Sequence, residues 1–164
     1  MADRLDVKII TPERVVFKHE ADSVILPGTL GEMEVLPGHV AIFSTIKPGQ
    51  ILIKDSGRRD IFASGAGLLE VCANHVTLLV DSAEGSAEID PAVAQRLIEG
   101  AEDKLKNLSS EDEEQRFAFE TQLAAAKARI EVYERTLDDR EAQHGFSRAN
   151  LNPVVSEDQK DGNK

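Results

Sequence analysis

The sequence is poor in several residue types, and each shortage narrows what the protein can do. Its 164 residues include no tryptophan, one tyrosine and one cysteine. Cys72 has no partner for an intramolecular disulfide, and its place in an apolar run predicts a small side chain in the core. The apolar runs all fall well short of the ~20 residues that cross a bilayer, which predicts a soluble protein.

Positive charge is also scarce. There are 19 Lys and Arg residues against 30 Asp and Glu residues, for a net charge of −11 at pH 7. Nucleic acids and anionic membranes attract clustered Lys and Arg, so this balance argues against both as direct partners. The N-terminal segment resembles neither a signal peptide nor an organelle transit peptide, from which we expect a bacterial cytoplasmic location.

Short apolar runs separated by turn signals dominate the first half of the chain. Residues 5–10, LDVKII, alternate apolar and polar side chains, which is typical of a half-buried strand. The run from Val40 to Ile46 is β-branched and aromatic and lies between the turn pairs Pro37-Gly38 and Pro48-Gly49. It is too short for a stable helix, which predicts a buried strand.

Two tight hairpin turns are also predicted, one at Asp55-Ser56-Gly57 and one at Ala73-Asn74-His75, where Asn tolerates a left-handed backbone. Many short strands joined by close turns favour a β-sandwich or a flattened barrel of about ten strands. We place this first domain at residues 1–87.

The pattern changes to helical spacing after Ile89. Asp90 is a good N-cap, and Pro91 suits the first position of a helix. The apolar residues that follow at helical spacing are Ala94, Leu97, Ala101, Leu105 and Leu108.

A second helix is predicted to begin near Glu111, because Ser110 and Glu113 have the spacing of a capping box. Its a/d stripe consists of Phe119, Leu123, Ala126, Ile130, Tyr133 and Leu137. Gly145 is expected to end it. The two helices most simply form an antiparallel hairpin over residues 88–146, followed by a disordered polar tail at residues 147–164.

No group of residues predicts catalysis, a metal site or a cofactor. The histidines lack the spacing of metal ligands, and a structural or surface role is the simpler interpretation of His39. Gly65-Ala66-Gly67 leads into a strand, whereas a dinucleotide fingerprint leads into a helix. The acidic run Glu111 to Glu114 is typical of solvated charge at a helix start.

Two blocks of sequence resemble a known family, the epsilon subunit of F-type ATP synthases. The first is GEMEVLPGHVAIFSTIKPG at residues 31–49. The second comprises Ser64-Gly65, residues 67–71 and residues 76–83, which are similar to two strands of that family. The resemblance spans about residues 3–90 and extends to the helical part in pattern only.

The resemblance implies a non-catalytic central-stalk subunit of a rotary motor that couples proton- or sodium-driven ion transport to ATP synthesis. Its implied partners are the gamma subunit, the ring of c subunits and the alpha/beta catalytic head. It would associate with the cytoplasmic face of the inner membrane only through the complex. The helices would regulate the motor by inhibiting ATP hydrolysis.

Candidate contact residues follow from the same resemblance. Those for gamma and the c-ring are Met33, Glu34, Pro37, Gly38, His39, Val40 and Ile42, although core packing is the alternative role of the apolar ones. Those for the catalytic beta subunit are Arg116, Lys127, Arg129 and Arg135, whose alternative role is a solvated helix face.

A nucleotide motif of some family members, I/L-D-x-x-R-A, aligns with the start of the first helix. Asp90 and Ala94 match it, but Val93 stands in place of the arginine. Valine cannot form a charge-assisted bond to phosphate, so we expect no strong ATP binding at Asp90.

Two other functional classes are compatible with the composition. One is a stand-alone adaptor that uses a β-sandwich and a coiled-coil hairpin to bind proteins. The other is a small enzyme, which would need convergent polar groups that the sequence does not supply.

Overall fold

The computed structural model of the protein describes residues 4–109 and 112–144. Ten strands are followed by two helices, which confirms the predicted fold class. The strands are β1 (Leu5–Ile10), β2 (Val15–Ala21), β3 (Ser23–Gly28), β4 (Gly31–Val35), β5 (Ile42–Ile46), β6 (Gly49–Asp55), β7 (Arg58–Ser64), β8 (Gly67–Cys72), β9 (His75–Val80) and β10 (Ala83–Gly85). The helices are α1 (Pro91–Asn107) and α2 (Glu113–His144).

One sheet contains all ten strands and folds around a single apolar core. Its order is β10-β7-β6-β3-β5-β8-β9-β1-β2, with β4 attached to β3. β1 lies between β2 and β9 and pairs with β9 in parallel, whereas the other described pairs are antiparallel. The alternation in β1 is as predicted, because Leu5, Val7 and Ile9 are buried.

Two predictions of burial in the sheet are wrong. The strand expected at Val40–Ile46 begins only at Ile42, so that Val40 precedes it and is 75% exposed. The strand turns one face to solvent, where Phe43 is 69% exposed. Cys72 is also exposed rather than in the core. The period-2 alternation of strands explains the exposure of Phe43 and Cys72, since Ile46 and Val71 point inward and their neighbours point outward.

The tight turns have the geometry that the sequence predicts. Ser56 and Gly57 connect β6 and β7 with φ of 49° and 83°, and Ala73 and Asn74 connect β8 and β9 with φ of 48° and 66°. Two consecutive residues with positive φ characterise the type I′ turn, whose twist matches that of the flanking strands.

Helix α1 begins where its cap predicts. The Asp90 carboxylate accepts hydrogen bonds from the backbone N of Ala92 and Val93, and Pro91 occupies the first turn. Its buried residues are Ala94, Ile98 and Ala101. The expectation for Leu97 is wrong, because the helix presents Ile98 to the interior and leaves Leu97 50% exposed.

The helices pack antiparallel. Glu102 of α1 lies 3.6 Å from Lys127 of α2, and Lys104 lies over the ring of Phe119, nearer the start of α2. Helix α2 begins at Glu113, and the predicted capping residue Ser110 lies outside the described residues. Gly145 and the predicted tail at residues 147–164 also lie outside them.

Candidate functional site

The turn at Pro37-Gly38 forms a rigid projection on the β domain. The backbone N of His39 donates to the carbonyl of Leu36 at 3.0 Å, and Gly38 has φ of 82°, which together define a type II turn with glycine where positive φ is required. Asn74 fixes the turn from outside, because its Oδ1 accepts a hydrogen bond from the Gly38 N at 2.8 Å. Val40 and Leu36 therefore project from a fixed backbone.

The other predicted docking residues near this turn have roles inside the domain. Met33 and Ile42 are half-buried and pack against the core. His39 is half-buried, and its Nδ1 lies 2.8 Å from the carbonyl oxygen of Val40.

Glu34 is held by two intramolecular partners. Its Oε1 accepts hydrogen bonds from the Ser23 hydroxyl at 2.9 Å and from Lys54 Nζ at 3.1 Å. These two contacts, the Ser23 bond first, hold the pKa of the Glu34 carboxyl below its ordinary value. The side chain thus satisfies the buried Ser23 hydroxyl and pairs with a lysine of the same domain.

A row of outward-facing apolar side chains crosses four neighbouring strands, and sequence analysis missed it. Cross-strand pairing aligns Leu68 with Leu79, Leu79 with Ile10, and Ile10 with Val15. Leu68, Leu79 and Val15 are 36%, 48% and 55% exposed. We call Ile10, Val15, Leu68 and Leu79 the apolar row. These residues come together only through the register between strands, so no local sequence pattern could have identified the apolar row.

Helix α2 contacts the β domain through Ala128 and Val132, which do not belong to the a/d stripe predicted from the sequence. Ala128 and Val132, spaced four residues apart, are buried against Ala63 of β7 and Ile89. Ile61 and Tyr133 border this contact. We call it the helix–sheet junction. Its small residues were not recognised as a stripe because alanine carries little hydrophobic signal.

The predicted basic residues of α2 make contacts within the chain. Arg129 forms an ion pair with Glu84 of β10, with Nη2 donating to Oε1 at 2.7 Å and Nε donating to Oε2 at 3.0 Å. Arg135 Nη1 donates to Oε1 of Gln50 at 3.1 Å. Lys127 lies 3.6 Å from Glu102 of α1.

Arg116 is not brought to the same place. It lies in the first turns of α2, roughly 20 Å along the helix axis from Arg129. The structure therefore gathers Arg129 and Arg135 at the helix–sheet junction, places Lys127 between the helices and leaves Arg116 apart.

Asp90 acts as the N-cap of α1. Its Oδ1 already accepts hydrogen bonds from the N of Ala92 at 2.9 Å and of Val93 at 3.2 Å. Val93 is 42% exposed and presents an apolar surface where a phosphate would need a cation.

Metal ligation has no evident location in the described part of the chain, where no three His, Cys, Asp or Glu side chains come together. Over residues 4–109 and 112–144, neither helix has the length and apolar composition that would let it cross a membrane. The candidate surfaces for function in the described residues are the projecting turn, the apolar row and the helix–sheet junction.

Comparisons with known proteins agree with this architecture. The family described as ATP synthase, Delta/Epsilon chain, beta-sandwich domain matches residues 4–86. The ATP synthase epsilon chain of Geotalea uraniireducens is 38% identical over 132 residues, which are 80% of this chain and 95% of the relative. That of Bordetella avium is 40% identical over 126 residues, covering 76% and 87% respectively.

Among solved structures, a chain in the mitochondrial ATP synthase of Euglena gracilis matches with a TM-score of 0.64 and 22% identity. The match covers 82% of this chain and 81% of that one. At this identity the likeness shows a shared fold.

Proposed function

The chain belongs to the ATP synthase epsilon-chain family, and from this membership we propose how its β domain and its helical hairpin act in the rotary complex. It is a non-catalytic regulatory subunit of the central stalk in an F-type ATP synthase. The similarity to curated epsilon chains over most of its length carries this conclusion. The stand-alone adaptor is not favoured.

The β domain, residues 1–87, docks on the gamma subunit and the c-ring and transmits rotation driven by protons or sodium ions. The projecting turn with Val40 and the apolar row are the surfaces we assign to this contact. A contiguous row of exposed apolar side chains favours burial against another protein. The subunit then lies on the cytoplasmic face of the inner membrane and touches the membrane only through the complex.

The hairpin, residues 88–146, acts as a brake on ATP hydrolysis. In the compact state seen here, α2 lies on β6 and β7. In an extended state it would leave the sheet and reach the alpha/beta head, where Arg116, Lys127, Arg129 and Arg135 are the candidate contacts to the beta subunit. Two packings of similar free energy need only a few kcal/mol of differential contact to exchange populations.

Hydrolysis by the assembled complex tests the brake. We expect a chain that stops after Glu88 to assemble normally and to raise ATP hydrolysis, because the inhibitory element is gone. Unchanged hydrolysis in a fully assembled complex would refute the brake and leave coupling through the β domain as the function.

Assembly tests the docking surface. We expect Leu68→Asp to reduce binding to the gamma subunit, because it places a charge in the apolar row. Val93→Asp is the matched control, since it alters an exposed apolar residue of the hairpin, whose removal should leave assembly intact. Equal binding by both variants would exclude the apolar row from the interface.

A further inference from the structure

The helix–sheet junction has a small apolar centre. Ala128 and Val132 of α2 are 3% and 0% exposed, and they pack on Ala63 and Ile89. Alanine side chains bury little apolar surface, so this centre alone holds the helix weakly. The polar contacts at its edge therefore add to the preference for the compact position.

Glu84 and Arg129 form the first of these polar contacts. The guanidinium reaches both carboxylate oxygens, and the two side chains are only 30% and 21% exposed. A two-pronged ion pair of this kind is stronger and more demanding in geometry than a single hydrogen bond. Partial burial also protects it from screening by salt. It spans 45 residues of sequence, so it forms only when the helix lies on the sheet.

Gln50 forms the second contact and binds two side chains of α2. Its Nε2 donates to Glu131 Oε2 at 2.9 Å, while its Oε1 accepts from Arg135 Nη1 at 3.1 Å. Glu131 and Arg135 are one helical turn apart, and the neutral amide lies between their opposite charges. Both hydrogen bonds require α2 to lie beside Gln50 of β6.

We propose that Glu84 and Gln50 form a latch that holds the hairpin compact and sets how often α2 is released. This inference rests on the proposed function for its regulatory meaning. The latch engages Arg129 and Arg135, two of the residues assigned above to the extended state. Each of them can therefore serve only one state at a time, and the strength of the latch sets the fraction of hairpins able to inhibit.

Release of the helix can be measured in the isolated full-length chain. Val132→Cys in a Cys72→Ser background places a single thiol at a position that is fully buried only while α2 is docked. Its rate of reaction with a soluble disulfide reagent then reports the open fraction. Glu84→Gln removes the ion pair from the sheet side and leaves every basic residue of α2 unchanged.

We expect Glu84→Gln to increase the labelling rate about tenfold, and Gln50→Ala to increase it by a smaller factor. Glu102→Gln is the matched control, because Glu102 pairs with Lys127 inside the hairpin and not with the β domain. An unchanged rate with Glu84→Gln, or an equal rise with Glu102→Gln, would overturn the latch. Amide exchange of β1 and β9 verifies that the β domain stays folded in each variant.

Hydrolysis by the assembled complex separates the latch from the brake. If both exist, Glu84→Gln lowers hydrolysis, because it frees the helix and keeps Arg129. The latch would be upheld and the brake refuted if Glu84→Gln labels faster while hydrolysis is unchanged, both with Glu84→Gln and with the truncated chain. If Glu84→Gln leaves the labelling rate unchanged and truncation after Glu88 raises ATP hydrolysis, the latch is overturned and the brake is upheld.

Discussion

Asn74 and Gly38 lie 36 residues apart in the chain, yet the Asn74 side chain accepts a hydrogen bond from the Gly38 amide at 2.8 Å. Asn74 also occupies a left-handed position of the β8–β9 turn, with φ of 66°. One residue therefore shapes its own turn and fixes the projecting turn at Pro37-Gly38, which we assign to docking.

Asn74→Ala should lower the free energy of unfolding by about 1–2 kcal/mol, because it loses this hydrogen bond and because alanine tolerates positive φ less well than asparagine. Urea unfolding measures the change. Asn74→Gly is the matched control, since it removes the amide but suits the backbone, and its loss should be smaller. Exchange of the Gly38 amide should accelerate in both variants, and an unaltered exchange rate would contradict the contact.

Ala73, beside Asn74, should be a site where stability can be gained. Its φ of 48° is unfavourable for alanine, and asparagine tolerates this region better. We expect Ala73→Asn to raise the free energy of unfolding by about 0.5–1 kcal/mol. The exposed Ala118 of α2 provides the comparison, because Ala118→Asn should lower stability by roughly 0.5 kcal/mol through helix propensity. Thermal unfolding would contradict the expectation if both variants were destabilised.

Alanine substitutions at Gly67 and Gly100 should change the free energy of unfolding in opposite directions. A Cβ at Gly67 would lie 2.2 Å from the carbonyl oxygen of Leu79 and 2.8 Å from the Cα of Val80, so Gly67→Ala must displace β9. We expect a loss of about 2–4 kcal/mol. Nothing lies within 4 Å of a Cβ at Gly100 in α1, so Gly100→Ala should gain up to ~1 kcal/mol. Urea unfolding of both variants measures the contrast.

Acid should weaken the contacts of Glu34. The folded state lowers the pKa of this carboxyl from its ordinary value of 4.5, so the ionised form stabilises the fold. That stabilisation is complete above the unfolded pKa and is lost as the pH falls through the lower, folded pKa. Glu34→Gln should therefore reduce the dependence of unfolding free energy on pH below about 4.5. Lys54→Gln should also reduce this pH dependence. Identical slopes in the unsubstituted protein and in both variants would contradict the assignment.

Local patterns predicted the elements whose neighbours in sequence decide their structure. The alternation in residues 5–10, the cap at Asp90 and the turn at Asn74 all depend on short-range chemistry, and the structure contains each of them. The helix α1 was also predicted, although its buried face includes Ile98 in place of Leu97. Both spacings fit a helix, and only packing against α2 selects one.

The features that the sequence did not predict depend on contacts between segments that are distant in the chain. Phe43 is apolar, but the position of β5 beside β8 turns it to solvent. The apolar row needs the alignment of β8, β9, β1 and β2, and the pair Glu84–Arg129 needs α2 to lie beside β10. A single sequence carries no direct signal for such pairings, which explains why both escaped sequence analysis.

The position of β1 between β2 and β9 has a consequence for synthesis on the ribosome. The first strand to emerge has only β2 as a neighbour until residues 75–80 have been made, because its parallel partner is the ninth strand. The nascent sheet is therefore incomplete through most of its translation, with β1 exposed along one edge. β1 gains its second neighbour only once β9 leaves the exit tunnel, so the hairpin, which is translated after β9 and β10, meets a sheet whose strands have all been made.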